Sequence, residues 1–336
     1  MATTGSTRTG SGTTCPRAPT GTDLPLDPWI AARHPGRVPG RRRSRWWADL
    51  QDVGTGRRQS IACYDQRSSI GGRVPDIERV PEGIDPSTPS AARVYDYFLG
   101  GRDNYAADRA LAEWLLSIAP DSRTVARLSR QFVLKAVELI AEAGIRQFID
   151  IGAGIPTSPS VHEVAQKVDS AATVVSIDYD PVVHAYGNAF LSGTPGVTTM
   201  QADVRRPDDI IDRLRSGALI DFEQPVAILL CSILHFVLDD EHPAEIIARF
   251  RTAIPSGSYV AFTHPSDEVS PAGMAQLASH NIGSPTQFVS RSRTELAGFF
   301  DGFEFLGGGV VPVQDWLDGE QPTTQMVWLG GICRKP

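Results

Sequence analysis

Gln147–Ala165 reads QFIDIGAGIPTSPSVHEVA. The apolar residues that open it read as a buried strand, Gln147–Ile151. Two glycines follow, Gly152 and Gly154, and glycine permits a tight turn and close approach of a ligand to the backbone. Ser160 stands three residues before Glu163, the spacing of a capping box, so a helix starts there. A strand, a glycine turn and a helix N-terminus together make a place for a nucleotide, because the free N–H groups and the positive helix end receive anions. Two features depart from the dinucleotide fingerprint. Position 157, where a third small residue belongs, is Thr157, and an acid, Asp150, sits at the strand's end.

Outward from this turn, strands and helices alternate. Further strands are expected at Thr173–Asp178, Val197–Ala202, Val226–Ser232 and Ser258–Thr263. Helices are expected at Val161–Val168, Pro181–Leu191, Pro207–Arg215, Pro243–Ile254, Pro271–Asn281 and Thr294–Phe300. Four of these open on proline, which suits a first helical turn. The continuous apolar runs VAILLCS and TVVSI suit a parallel sheet covered on both faces. The pattern predicts an α/β, doubly wound, mostly parallel sheet. At the C-terminus two strand-like stretches, GFEFLGGGVVPV and TTQMVWLGGICRK, have no helix between them and predict an antiparallel hairpin at one edge.

Before the sheet, residues 76–144 read as helical. Ser90 is a plausible N-cap, Ala91, Val94 and Phe98 share a helical face, and Gly100–Gly101 end the helix. A second helix stops at Pro120. A third carries Val125, Leu128, Phe132, Leu139 and Ala143 at helical spacing and closes at Gly144. Residues 1–75 show neither period. They read as a disordered arm or as an extension from a start assigned too early, an internal start then falling near Val74. The run Gly40–Trp47, GRRRSRWW, is the one basic patch in them.

Charge divides the same way. Residues 1–75 hold 12 Arg against 5 Asp; the rest hold 20 basic and 34 acidic side chains. An acidic body argues against a nucleic-acid partner and suits a small neutral or cationic ligand. Four scattered cysteines form no CxxC pair, so neither a disulfide framework nor a metal site is expected. No apolar run nears the roughly 20 residues of a membrane span. The N-terminus lacks a secretory signal's apolar core. The expectation is a cytoplasmic protein of unspecified oligomeric state.

Ligands of open α/β sheets bind beyond the carboxyl ends of the strands. Acids stand at three of those ends. Asp150 follows the first strand. Asp178, 24 residues past Gly154, suits ribose hydroxyls, and Asp203 suits an adenine amino group. Asp180 reads as a cap before Pro181. A pyrophosphate would be repelled by Asp150; a sulfonium would not. The residues therefore favour S-adenosyl-L-methionine over NAD(P), whose oxidoreductases share the fold.

The chain resembles the S-adenosylmethionine-dependent methyltransferase family of actinomycetes. The resemblance lies in PSAARVYDYFLGGRDNYAADR (Pro89–Arg109), IRQFIDIGAGIPTSPSVHEVAQ (Ile145–Gln166), VVSIDYDPVV (Val174–Val183) and LHFVLDDEHP (Leu234–Pro243), in that order. It covers roughly residues 80–335. It departs at Ser160, where the family tends to have Asn, and over Val311–Gln321. It implies a Rossmann-like class I core over residues 145–336 with an N-terminal helical cap. The cofactor residues it implies are Asp150, Gly152, Gly154, Asp178, Tyr179, Asp203 and Val204, with Tyr105 from the cap. The expected activity is in-line methyl transfer to a small-molecule acceptor, of the secondary-metabolite kind. A non-catalytic S-adenosylmethionine-binding regulator is the alternative. His235, His264 and Tyr105 are the candidate general bases, though each histidine, like His162, also reads as structural. Of Tyr95 and Tyr97, on different helix faces, one at most faces the site. Cys231 reads as a buried strand residue.

Overall fold

The computed structural model describes residues 84–268, 274–275, 278–279 and 287–336. The expected arm over residues 1–75 lies outside the described residues, and so do seven of the eleven residues of the helix expected at Pro271–Asn281.

Five parallel strands form the centre: β1 (Gln147–Ile151), β2 (Thr173–Asp178), β3 (Val197–Gln201), β4 (Ala227–Cys231) and β5 (Tyr259–Ser266). The sheet order is β3-β2-β1-β4-β5, followed by β8 (Val327–Arg334) and β6 (Glu304–Phe305). The strand order turns back between β1 and β4, which stay parallel, and this opens a crevice at their carboxyl ends. The C-terminal strand β8 (Val327–Arg334) runs antiparallel to β5 along its full length. Its other neighbours are only two residues each, β6 (Glu304–Phe305) and β7 (Val311–Pro312). The expected hairpin is therefore present, with a broken outer arm. Gly307 and Gly309, both at positive φ, turn the chain between its two pieces.

The helices follow the expected boundaries closely because their ends carry local signals. After β1, α4 (Val161–Val168) begins on the Ser160–Glu163 capping box. Next, α5 (Pro181–Leu191) begins on Asp180, whose carboxylate accepts from Val182 N at 2.8 Å. The next two, α6 (Pro207–Ser216) and α7 (Pro243–Ala253), open on proline; α8 (Arg293–Phe299) opens on Ser292 with Glu295 in a further capping box.

Alternate strand residues face opposite layers. Ile149, Ile177, Ile228, Leu230 and Phe262 join Ile210, Leu214, Ile247, Phe250 and Leu296 in one large core under α6, α7 and α8. Each fully buried Ile, Leu or Phe contributes about 1.5–3 kcal/mol. The other face takes α4, α5 and the long helix α3 (Ser122–Glu142). Phe132 of α3 lies on β8 at Gly330, where a Cβ would come within 3.0 Å of its ring. The buried stripe of α3 runs Val125, Leu128, Phe132, Ala136 and Ile140. Leu139 is only half-buried and Ala143 is exposed, because the stripe continues through Ile140 as the helix leaves the sheet.

Two shorter helices precede α3: α1 (Ala91–Leu99) and α2 (Ala106–Ile118). The Ser90 hydroxyl and the Gly100 turn (φ +86°) cap α1 as the sequence predicts. Arg93 is buried against Asp108, with Nε to Oδ2 at 2.7 Å. Asp108 also accepts from the backbone N–H groups of Ser90 and Tyr105.

Candidate active site

A cavity of about 250 Å³ lies at the carboxyl ends of β1, β2 and β4, closed on its far side by α1, α2 and α3. Of the residues expected at a cofactor, Asp150, Gly152, Gly154, Asp178 and Tyr179 line it. Of the candidate bases, only His235 does.

The two glycines of the turn do different work. Both have positive φ, +74° at Gly152 and +66° at Gly154. A Cβ on Gly152 would strike Ile233 at 2.7 Å, so that glycine serves packing. A Cβ on Gly154 would meet nothing within 4 Å, so that glycine leaves room on the cavity side. The Gly154 N–H donates to Asp178 Oδ2 at 3.0 Å, which ties the turn to the end of β2. Asp180 N donates to Asp178 Oδ1, also at 3.0 Å. Each Asp178 oxygen keeps a lone pair for a ligand donor.

The acids are buried. Burial raises the Asp178 carboxyl to about 6, against its backbone hydrogen bonds. It raises Asp150 to about 6 as well, Arg130 opposing the rise and Asp178 adding to it. Arg130, from α3, donates through Nη2 to the carbonyls of Thr157 and Pro159 at 2.9 and 2.8 Å. Its buried Nε has no partner among the described residues. A second, smaller cavity of about 40 Å³ lies behind the glycine turn, where Asp150, Asp178 and Arg130 meet His162 and His184. His162 faces this smaller space and sits 2.8 Å from the Ser160 hydroxyl, a structural position.

Tyr105, His264, Asp203 and Val204 are not among the residues that line the cavity. Tyr105 does not line the cavity: its ring lies under Arg93, whose guanidinium carbon is 5.1 Å from the centroid. Of the tyrosines of the preceding helices, Tyr95 lines it, its hydroxyl donating to Ala126 O at 3.1 Å, while Tyr97 turns to Glu113. His264 is wholly buried away from the cavity, with both ring nitrogens occupied. Nδ1 donates to Pro265 O at 2.8 Å, and Nε2 accepts from Arg291 at 3.1 Å. A nitrogen that accepts from a permanent cation cannot serve as a base, and burial lowers this imidazole to about 3. Asp203 and Val204 follow β3 at the next strand end, the Asp203 carboxylate held by Arg205 through contacts of 2.8 to 3.0 Å.

The sequence family described as "S-adenosyl methyltransferase" matches residues 78–336. The chain belongs to this family. It is similar in structure to a DUF574 family protein from Streptomyces avermitilis, at 35% identity over 75% of this chain and 99% of that one, with a TM-score of 0.70. It is equally similar to a Thermobifida fusca protein provisionally named a methyltransferase, at 36% identity over 76% and 98% of the two chains, with a TM-score of 0.71. No curated protein matches it in sequence. The cofactor of the family is S-adenosylmethionine, so the nicotinamide alternative is set aside.

The methyltransferase cavity has a second half that sequence spacing did not reveal. Past Ser232 it is walled by Phe98, Phe236, Met274, Phe288, Met326 and Trp328, from five separate stretches of chain. Ser232 itself sits at φ +56°, a strained setting for a residue other than glycine. It is held there by a triangle of hydroxyls, Ser129, Ser232 and Thr263, each pair 3.1 Å apart. His235 is 6% exposed and stands among Phe236, Phe288 and Trp328, with ring centroids 4.0, 6.2 and 5.8 Å away. Burial, then His264 and Arg291, lower it well below the ordinary imidazole value, so it is neutral. Burial and Asp150 push the Cys231 thiol upward, which leaves no thiolate nucleophile. Among the described residues no group of three or more His, Cys, Asp or Glu could hold a metal ion, and no helix is long and apolar enough to cross a membrane.

Proposed function

We propose that this methyltransferase transfers the cofactor's methyl group to a small organic acceptor held in the apolar half of the cavity. The observation that carries the reading is the division of one cavity into two halves. Buried acids and an open glycine stand at the β1 and β2 ends, and uncharged aromatic and sulfur side chains line the rest. The residues of the first half fit the cofactor. Asp178 offers free lone pairs to the ribose hydroxyls beside the space left at Gly154. Asp150 faces the cationic side, and Arg130, with an unclaimed N–H, takes the carboxylate. Tyr179 flanks the adenosyl end. At the next strand end Asp203 and Val204 meet the adenine, whose amino group competes with Arg205 for the carboxylate.

When bound, S-adenosylmethionine supplies a methyl group already activated by its sulfonium. The chain's own residues then have to align an acceptor and exclude water. The helices α1 to α3 act as the cap that does the excluding, with residues 76–144 as the cap unit and 145–336 as the core. His235 is the residue placed to receive an acceptor proton, being neutral and on the wall. The 20 basic against 34 acidic residues after residue 75 favour a small molecule, such as a secondary metabolite, over nucleic acid. The free Cys231 and Cys333 thiols suit a cytoplasmic setting.

Calorimetry with S-adenosylmethionine, S-adenosylhomocysteine and NAD tests the first half. Both sulfur ligands are expected to bind and NAD is not. Failure of both would overturn the reading. Methyl transfer to a panel of phenols, amines and indoles tests the second half.

A further inference from the structure

We infer that the acceptor is an uncharged, flat ring compound that presents a hydroxyl group to His235 and Trp328. The inference rests on the small-molecule reading above and adds the chemical class. Among the described residues, the charged side chains of the cavity wall are Arg130, Asp150, Asp178 and Asp180, all at the cofactor end. An ionised acceptor in the other half would be buried without a counter-charge, at a large desolvation penalty. The walls there are rings and thioethers, which favour a flat apolar partner.

Two polar atoms in side chains of that wall are unclaimed. His235 Nδ1 and Trp328 Nε1 are both buried with no hydrogen-bond partner among the described residues. Their rings lie 5.8 Å apart at 77°. Buried polar groups are almost always partnered, so two orphans on one cavity wall point to a missing ligand group. The chemistry of the pair selects that group. An indole N–H can only donate. A neutral imidazole can accept at Nδ1. A hydroxyl answers both: its oxygen accepts from Trp328, and its proton is donated to His235. An ether or a carbonyl leaves the imidazole lone pair unused, and an ammonium repels the indole N–H. The same hydroxyl can be the atom methylated. Its oxygen then bonds the methyl carbon as the carbon–sulfur bond breaks, the electron pair staying on sulfur. The hydroxyl proton passes through His235 to solvent, and the products are a methyl ether, a neutral thioether and one proton.

The test uses the full chain saturated with S-adenosylhomocysteine and four probes of one ring system: naphthalene, 2-naphthol, 2-methoxynaphthalene and 2-naphthoate. 2-Naphthol is expected to bind about 10-fold or more tightly than naphthalene, the yield of one or two buried hydrogen bonds. The ether should fall between them and the carboxylate should bind worst. Trp328→Phe and His235→Phe should each shrink the naphthol preference to about threefold or less while naphthalene binding persists. Equal binding of naphthol and naphthalene would mean that water serves the two orphans, and would overturn the inference. So would tightest binding by the carboxylate, binding of no ring probe, or an undiminished preference in both variants. If a variant fails to fold, the ranking of probes on the unaltered protein decides alone. Absence of S-adenosylhomocysteine binding would instead strike the cofactor reading, a separate outcome.

Discussion

Cofactor affinity should rise steeply as pH increases through 6. Asp150 and Asp178 both have carboxyls raised from 3.8 to about 6, burial being the first cause for each. A raised folded-state pKa means that the folded protein binds more protons than the unfolded chain between those two values. Stability therefore falls as pH climbs through that window, by roughly 3 kcal/mol for each acid. A ligand that brings positive charge and hydroxyl donors to these carboxylates favours their ionised forms. Binding must then expel whatever protons they hold. Should binding return one acid to about 4 or lower, affinity at pH 7 would exceed that at pH 5 by roughly 10-fold, and approach 100-fold for both. Calorimetry at pH 5, 6 and 7 gives the affinities, and parallel runs in buffers of different ionisation enthalpy count the protons. About half a proton per acid should be released at pH 6. Asp178→Asn should lower affinity and leave the smaller, single-acid slope. An affinity that is flat or falls between pH 5 and 7 would refute the argument that these acids face the cofactor's cationic and hydroxyl groups.

Other outcomes follow from the same structure. Asp108→Asn breaks a buried ion pair and disturbs two backbone N–H bonds; a loss of about 3–5 kcal/mol should lower the melting temperature by roughly 6–20 °C in differential scanning fluorimetry. Gly152→Ala should lower stability through both its positive φ and a Cβ meeting Ile233 at 2.7 Å, whereas Gly154→Ala, strained by φ alone, should lose less stability but weaken S-adenosylhomocysteine binding; melts with and without that ligand separate the two. His264, lowered to about 3, is protonated in the unfolded chain before the folded one, so stability is lost as pH falls below about 6.5. That loss amounts to about 2 kcal/mol between pH 7 and 5. His264→Phe should lower stability at pH 7 but lose less of it on acidification, read from melting temperatures at the two pH values.

Much of the fold was legible because its signals are local. Ser90, Ser160 and Asp180 cap the helices that follow them, and the prolines at 181, 207 and 243 open theirs. The strand ends that carry Asp150 and Asp178 were legible for the same reason: an acid closing an apolar run is visible without a structure. What was not legible depends on distant partners. His264 and His235 are alike in sequence, each a histidine just past an apolar run. Arg291, 27 residues on, occupies the first, and nothing described claims Nδ1 of the second. Arg130 gave a weak signal, a cation beside Ser129 on a helix whose neighbouring positions are buried. Trp328 gave none, since only pairing of β8 with β5 sets it across from Pro265, near the cavity.

The block Pro89–Arg109 carries the family resemblance most specifically, yet most of its polar residues serve the block itself. Asp96 accepts from Asp103 N and Asn104 Nδ2, and a Cβ on Gly101 would fall 1.9 Å from its carboxylate. Arg93, Asp108 and Tyr105 form a second closed group, and the Ser90 hydroxyl reaches Asp180 at 2.6 Å, fastening α1 to the end of β2. The side chains it sends to the cavity are those of Ala91, Ala92, Val94, Tyr95 and Phe98. A polar frame of this kind fixes how the cap sits over Asp178 and Asp180, whichever acceptor is bound. The choice of acceptor falls instead to wall residues such as Phe236, Phe288, Met326 and Trp328, which no motif marks. That division explains why the sequence names the cofactor readily and the acceptor hardly at all. It also says where a change of substrate should be sought: at Phe288, Met326 and Trp328, with the Pro89–Arg109 frame left intact.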